Sequence, residues 1–299
     1  VIGSGVAGLT VARELKRFGH NIEIFEKHKS PGGMLNQGIP LFRLPRNIIN
    51  KEINQILDMG IKITYGKNIK DSTEVNSLAK KYDADLHVFH LTTEKEMELF
   101  SNTKPLKDKK ITAEVCVHHL WFSDSDYETK GSFIKWNPAV KSAKDRSALW
   151  EALLSDKIDV IATDHAPHTF EEKSNSYMKA PSGGPLVQHA LVAMMEAFHN
   201  GKISIEKMVE KMCHNPAILF QIEKRGYIKQ GYFADLVLVN PNNPWTVNKK
   251  NILYKCGWSP FEGTNFSSSI HSTYVNGRLV YSQGEIIEAG NGERLTFKV

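Results

Sequence analysis

The chain has 299 residues, 41% hydrophobic and 24% charged, with a formal net charge of +5, a balance that excludes general disorder. Its longest nearly apolar stretch, Leu186 to Phe198, carries Gln188, His189 and Glu196 and is too short to span a bilayer, so no membrane partner is expected. Residues 1–71 hold 11 Lys/Arg against 6 Asp/Glu, whereas residues 72–299 hold 27 of each; the basic side chains are dispersed rather than interleaved with aromatics, which argues against nucleic acid and marks a step between two unlike pieces.

In chain order, Val1-Ile2 lead into a turn at Gly3-Ser4-Gly5-Val6-Ala7-Gly8, and a longer first strand is expected upstream of Val1. Leu9, Val11, Ala12 and Leu15 have helical spacing, and Ile22 to Phe25 form a second strand. After the loop Ser30-Pro31-Gly32-Gly33, a helix from Arg46 to Met59 leads to a strand at Ile61 to Tyr65. A helix over Thr73 to Tyr82 precedes the strand Leu86 to Leu91, and Ile111 to Val117 is the next strand. Asp145 to Leu154 is a helix, and the buried strand Ile158 to Ala162 ends in Thr163-Asp164. Helices over Gly184 to His199 and Ser204 to Cys213 come next, then short β segments at Ala234 to Val239, Ser272 to Val275 and Arg278 to Ser282. Six candidate parallel strands result (1–5, 22–26, 61–65, 86–91, 111–117 and 158–163), two short of a closed eight-stranded barrel. The three cysteines, Cys116, Cys213 and Cys256, are scattered without a CxxC, so neither a disulfide framework nor a thiolate zinc site is indicated, and a reducing cytoplasm is the expected compartment.

The turn Gly3-x-Gly5-x-x-Gly8 sits between a strand and a helix. Its first glycine allows the tight turn, its second lets backbone approach a pyrophosphate, and its third permits close packing of helix on strand. Glu26 ends the second strand, 18 residues after Gly8, where a carboxylate accepts hydrogen bonds from ribose hydroxyls. Gly3, Gly5, Gly8 and Glu26 are therefore the candidate cofactor-binding residues. This start resembles the flavin-binding segment of the glutamate synthase small chain and the N-terminal part of dihydropyrimidine dehydrogenase. The matching stretches are Val1 to Gly5, Glu26-Lys27, Pro31 to Leu35 and Gly38 to Pro45, with Val6 in place of a usual proline. The resemblance implies FAD as a cofactor and an FAD- or NAD(P)H-dependent oxidoreductase as the alternative function. It stops near Asp71, without the later flavin segments or the second nucleotide fold.

Ten of the 12 histidines lie after residue 71. His90 ends one apolar strand, and Asp164 ends another within Asp164-His165-Ala166-Pro167-His168. Residues at the carboxyl ends of barrel strands converge on one site, and imidazole with carboxylate is a natural zinc donor set. His118-His119 read as structural. His87 cannot join His90, because side chains three apart on a strand point to opposite faces.

From Ser72 to Val299 the chain resembles dihydroorotase. The carrying stretches are Leu86 to Thr93, Ala113 to Leu120, Trp136 to Ala139, Ile161 to His168 and Ala180 to Gly184; Ala139 and Lys141 stand where many relatives have proline and arginine. The resemblance implies a zinc hydrolase of cyclic amides that interconverts N-carbamoyl-L-aspartate and dihydroorotate in pyrimidine biosynthesis. It implies His90 as a zinc ligand, Asp164 as ligand and proton shuttle, and Asn137 and His168 as substrate contacts, with backbone near Ser182-Gly183 assisting. The family's first strand also carries a His-x-His pair and an arginine, and later strands a carboxylated lysine or aspartate and another histidine. No His-x-His occurs in the 299 residues.

The expected fold is therefore α/β: a Rossmann-like βαβ start joined to the last part of a TIM-type β/α barrel with a small β appendage. The expected domains are a partial dinucleotide-binding segment at 1–71, a partial amidohydrolase barrel at 72–230 and a C-terminal β segment at 231–299. Two unrelated halves joined near residues 67–74 predict an incomplete, inactive hydrolase whose uncovered strand edges favour self-association.

Overall fold

The computed structural model describes residues 1–69, 72–287 and 292–298. The chain separates into two compact units, Val1–Ala84 and Asp85–Val299, so the helix Ser72–Tyr82 groups with the first.

In the first unit, β1 (Glu23–Glu26) pairs in parallel with β2 (Lys62–Tyr65), Glu23 opposite Lys62. The segment expected as a strand over 1–5 is reduced to a single parallel bridge between Ile2 and Phe25. Its physical cause is Gly3, whose φ of +85° turns the backbone out of the extended region directly after Ile2. The helix Val6–Arg17 then starts at Gly5 and buries Leu9 and Ala12; the helix Arg46–Leu57 buries Ile49 and Ile53, and both stripes close on Ile24 and Ile61. Gly8 is where the first helix touches the turn. A Cβ there would lie 2.0 Å from the carbonyl oxygen of Gly3, so only glycine fits.

The second unit holds a three-stranded parallel sheet, ordered β3 (Leu86–Val88), β4 (Ile111–Cys116), β5 (Val160–Ala162). Val88 lies opposite Ala113, and Cys116 opposite Ala162. β3 ends earlier than its sequence suggests because His90 takes positive φ, +42°; β5 starts at Val160 rather than Ile158 and ends at Ala162 as expected, ahead of Asp164 at φ +46°. Ala113, Val115, Leu149, Leu153 and Ile158 form the core with the helix Ala190–His199, which buries six side chains. That helix begins six residues later than its apolar run implies, because Gly184 bridges to His165 and accepts from the Ala166 amide at 3.2 Å. The helix expected to end at Cys213 instead continues from Ile205–Val209 through a widened π turn, Glu210–His214, into Asn215–Leu219. Pro216 brings no N–H to that junction, and the wider turn accommodates the loss.

The amino end of β5 is clamped by buried charge. Lys109 meets Asp159 at 2.6 Å, and the other Asp159 oxygen accepts from the Ala113 amide at 3.0 Å. Lys211, 1% exposed, donates to Asp156 and to the Ile158 carbonyl, each at 2.7 Å. The tail forms an antiparallel sheet ordered Glu285–Ile286, Arg278–Ser282, Ser269–Val275, Leu236–Asn240. Among the described residues no helix is long and apolar enough to cross a membrane.

Candidate functional site

β3, β4 and β5 run in parallel, so their carboxyl ends lie at one edge of the sheet. His90 and Asp164 each follow their strand by two residues, each half-buried and each in the left-handed region. For a non-glycine residue that conformation costs about 1–2 kcal/mol, and such strain clusters where a side chain must be aimed. His87, inside β3, is engaged elsewhere: its ring bonds Thr112 Oγ1 at 2.9 Å and Glu114 Oε2 at 3.0 Å.

Between His90 and Asp164, at the end of β4, stand Cys116, His118 and His119, all buried. One ligand atom from each lies within 4.8 Å of the other two. His118 and His119 sit on a short helix, Val117–Trp121, that begins where the expected strand would have continued. Burial holds His118 well below the usual imidazole range, with His119 and His90 adding; burial likewise pushes His119 down to about 4. Burial pushes the Cys116 thiol up, with Glu114 and Asp164 adding. His90 is thus within electrostatic reach of both histidines, and Asp164 of Cys116.

His118 stacks on Trp136, ring centroids 4.2 Å apart. His119 Nε2 lies 3.1 Å from the carbonyl oxygen of Pro138, and because that oxygen only accepts, Nε2 carries the proton. This bond fixes the loop that presents Asn137, whose own side chain is exposed. From sequence alone His118-His119 read as structural, and Cys116 has no CxxC partner to mark it. The signal available was Cys-x-His-His directly after a buried strand.

His168 lies in the loop beyond β5, its Nε2 bonded to the Ser182 carbonyl at 3.0 Å and its own carbonyl accepting from Trp258 Nε1 at 2.8 Å. Gly183 follows with φ +125°; a Cβ on it would stand 2.5 Å from the Ala166 carbonyl oxygen, so the two loops meet through backbone. Lys173, 0% exposed, holds them together by donating to the carbonyls of Gly183 (2.8 Å), Pro181 (3.0 Å) and Lys135 (3.1 Å). Burial pushes its pKa down to about 8, with Lys135 adding. His165 is spoken for: its Nδ1 accepts from the amides of Leu186 (3.0 Å) and Val187 (3.3 Å), which places the proton on Nε2.

In the first unit, Gly5 caps the helix Val6–Arg17, and a Cβ built on it meets nothing within 4 Å, leaving open space over the helix start. Glu26 is 3% exposed and folds back on the turn. Its Oε2 accepts from the Ser4 amide (2.8 Å) and hydroxyl, and its Oε1 from the His28 amide at 2.8 Å. Burial opposes ionisation, but the bonds from Ser4 and His28 outweigh it and hold the carboxyl below its usual range. Glu26 therefore already braces Gly3-Ser4-Gly5.

Residues 1–46 match the NAD(P)-binding Rossmann-like domain, and residues 70–280 match the amidohydrolase family. Dihydroorotase of Pyrococcus furiosus is 34% identical over 230 residues, covering 77% of this chain and 53% of that protein. Dihydroorotase of Halobacterium salinarum is 39% identical over 184 residues, 62% of this chain and 43% of that one. The chain thus spans about half the length of the curated relatives it matches. Among solved structures, an L-hydantoinase from Arthrobacter aurescens aligns with a TM-score of 0.69 at 22% identity, covering 96% of this chain and 65% of that one, a likeness of fold. With the family's match covering residues 70–280, well over half of its length, this chain belongs to the amidohydrolase family.

Proposed function

We propose that this chain carries one side of a dihydroorotase-type site for cyclic amides, and that it does not turn over by itself. The observation that carries the reading is the paired left-handed backbone of His90 and Asp164, beyond the two strands that flank β4. In this reading His90 and Asp164 are zinc ligands, Asp164 also holds the proton exchanged with the substrate nitrogen, and Asn137 and His168 bind the small-molecule substrate. A zinc site takes three or four protein ligands. His90 and Asp164 supply two, and His165 cannot add a third without surrendering the Leu186 and Val187 amides. The donor set of this site does not fit a held zinc, so no step is routed through one. The test is cyclisation of N-carbamoyl-L-aspartate by the purified chain with added zinc. No measurable turnover is expected; a rate within a hundredfold of an ordinary enzyme's ~10 s⁻¹, lost in Asp164→Asn, would show the site to be complete.

A second reading places FAD or NAD(P)H on residues 1–71, as in an oxidoreductase. It is favoured by the open space over Gly5 at the start of a helix, where a pyrophosphate gains both N–H donors and the helix dipole. Calorimetry with FAD and NAD(H) tests it. Gly5→Val is expected to abolish any affinity, and equal affinity in variant and parent would refute the assignment.

A further inference from the structure

We infer that Cys116, His118 and His119 form a second, buried site for a zinc-class divalent ion, separate from the His90 and Asp164 ligands. It stands independently of the proposed hydrolase reading, since it uses none of that reading's residues.

Three observations carry it. First, one ligand atom from each of the three residues lies within 4.8 Å of the other two, and all three side chains are at most 3% exposed. Second, the histidine ring nitrogens are orphaned: His118 Nδ1, His118 Nε2 and His119 Nδ1 are buried with no hydrogen-bond partner. A buried polar atom left unpaired costs about 1–3 kcal/mol, and a metal ion satisfies one nitrogen on each ring. Third, His119 has the arrangement typical of a metal-bound imidazole. Its Nε2–H donates to the Pro138 carbonyl, which fixes the tautomer and leaves Nδ1 as the free lone pair.

The donors select the ion. One thiolate and two imidazoles suit zinc and its borderline-soft neighbours, and exclude magnesium or calcium, which require oxygen ligands. On binding, the Cys116 Sγ–H bond breaks, its electron pair goes to the metal and its proton to solvent. The ion and thiolate leave one net positive charge, which the nearby Glu114 carboxylate offsets. Modest contraction of the three ligand atoms completes the shell, with the fourth position left to water.

The experiment uses the full chain, loaded with zinc and dialysed, and reads metal content and X-ray absorption. About one zinc per chain is expected to remain, with a sulfur scatterer at ~2.3 Å beside nitrogen at ~2.0 Å. Cobalt in its place is expected to give a near-ultraviolet thiolate-to-metal charge-transfer band. That band and the retained metal should vanish in Cys116→Ser and persist in Asp164→Asn and His90→Ala. Because the sulfur scatterer is read on the parent chain, a Cys116→Ser variant that failed to fold would leave the inference testable. Retained metal without sulfur in its shell would overturn it, and would favour the His90–Asp164 site if Asp164→Asn then released the ion. No retained metal would also overturn it, while leaving the proposed hydrolase remnant standing.

Discussion

Replacing Lys173 by Met tests whether one buried ammonium fastens the two loops that carry His168 and Gly183. The methionine keeps an unbranched side chain as far as the ε position and removes every donor. Three carbonyls, those of Lys135, Pro181 and Gly183, then lose a partner in a place with 0% exposure. At about 1 kcal/mol for each bond lost, the variant should be less stable by about 3 kcal/mol at pH 7. The pH response separates this from ordinary packing loss. The folded pKa, about 8, lies below the ordinary 10.5. Between these values the unfolded chain still binds a proton that the folded chain has released, so parent stability rises with pH across the window. The methionine variant lacks that rise. All five tryptophans, from Trp121 to Trp258, lie in the second unit, so their emission in a urea titration reports that unit alone. Equal midpoints at pH 7, or equal pH slopes for variant and parent, would refute the clasp.

Other substitutions probe separate parts of the chain. Lys109→Met strands Asp159, 3% exposed, with only an amide for company, and should cost about 3–5 kcal/mol in the same urea assay. Gly8→Ala drives a methyl into the Gly3 carbonyl and should cost about 3 kcal/mol, seen as faster proteolysis within residues 1–84, whereas Gly5→Ala should match the parent. Burial pushes His189 from the ordinary 6.5 down to about 4. Between those values the unfolded chain gains a proton that the folded chain refuses, so stability falls as the pH falls. His189→Gln should flatten that loss by up to about 1.4 kcal/mol per pH unit, and unchanged acid slopes in urea titrations would remove His189 from the response.

Short-range patterns carried most of what could be read from the chain alone. The glycine spacing places a turn against a helix because Gly8 must sit on the Gly3 carbonyl, a requirement that leaves its mark on six consecutive residues. β4 was legible from Ile111, Ala113 and Val115, since a buried strand needs apolar side chains at period two. Strand ends were not. The left-handed turns at His90 and Asp164 are set by what surrounds them in space, and neither residue type demands one. Burial was equally invisible: His118-His119 looks the same in a sequence whether it faces solvent or is sealed beneath Trp136. Glu26 illustrates a third limit. Its position at the end of β1 suggests a ribose acceptor, yet the same position lets it reach Ser4, and only coordinates show that its oxygens are already engaged.

The clamp at the amino end of β5 bears on how this unit tolerates change. Lys109, Asp159 and Lys211 secure that end with buried charge, Lys211 reaching the half-exposed Asp156, so sequence drift there is punished by unfolding. At the opposite end, Asn137 and His165 are exposed and His90 and Asp164 half-buried, so most substitutions at these four positions leave the fold intact. A lineage carrying such a strand set can therefore lose one chemistry, wander through neutral variants at the open end and acquire another. A saturation-mutagenesis map of the unit would show this polarity as a gradient along β5, intolerant at its start and permissive at its finish.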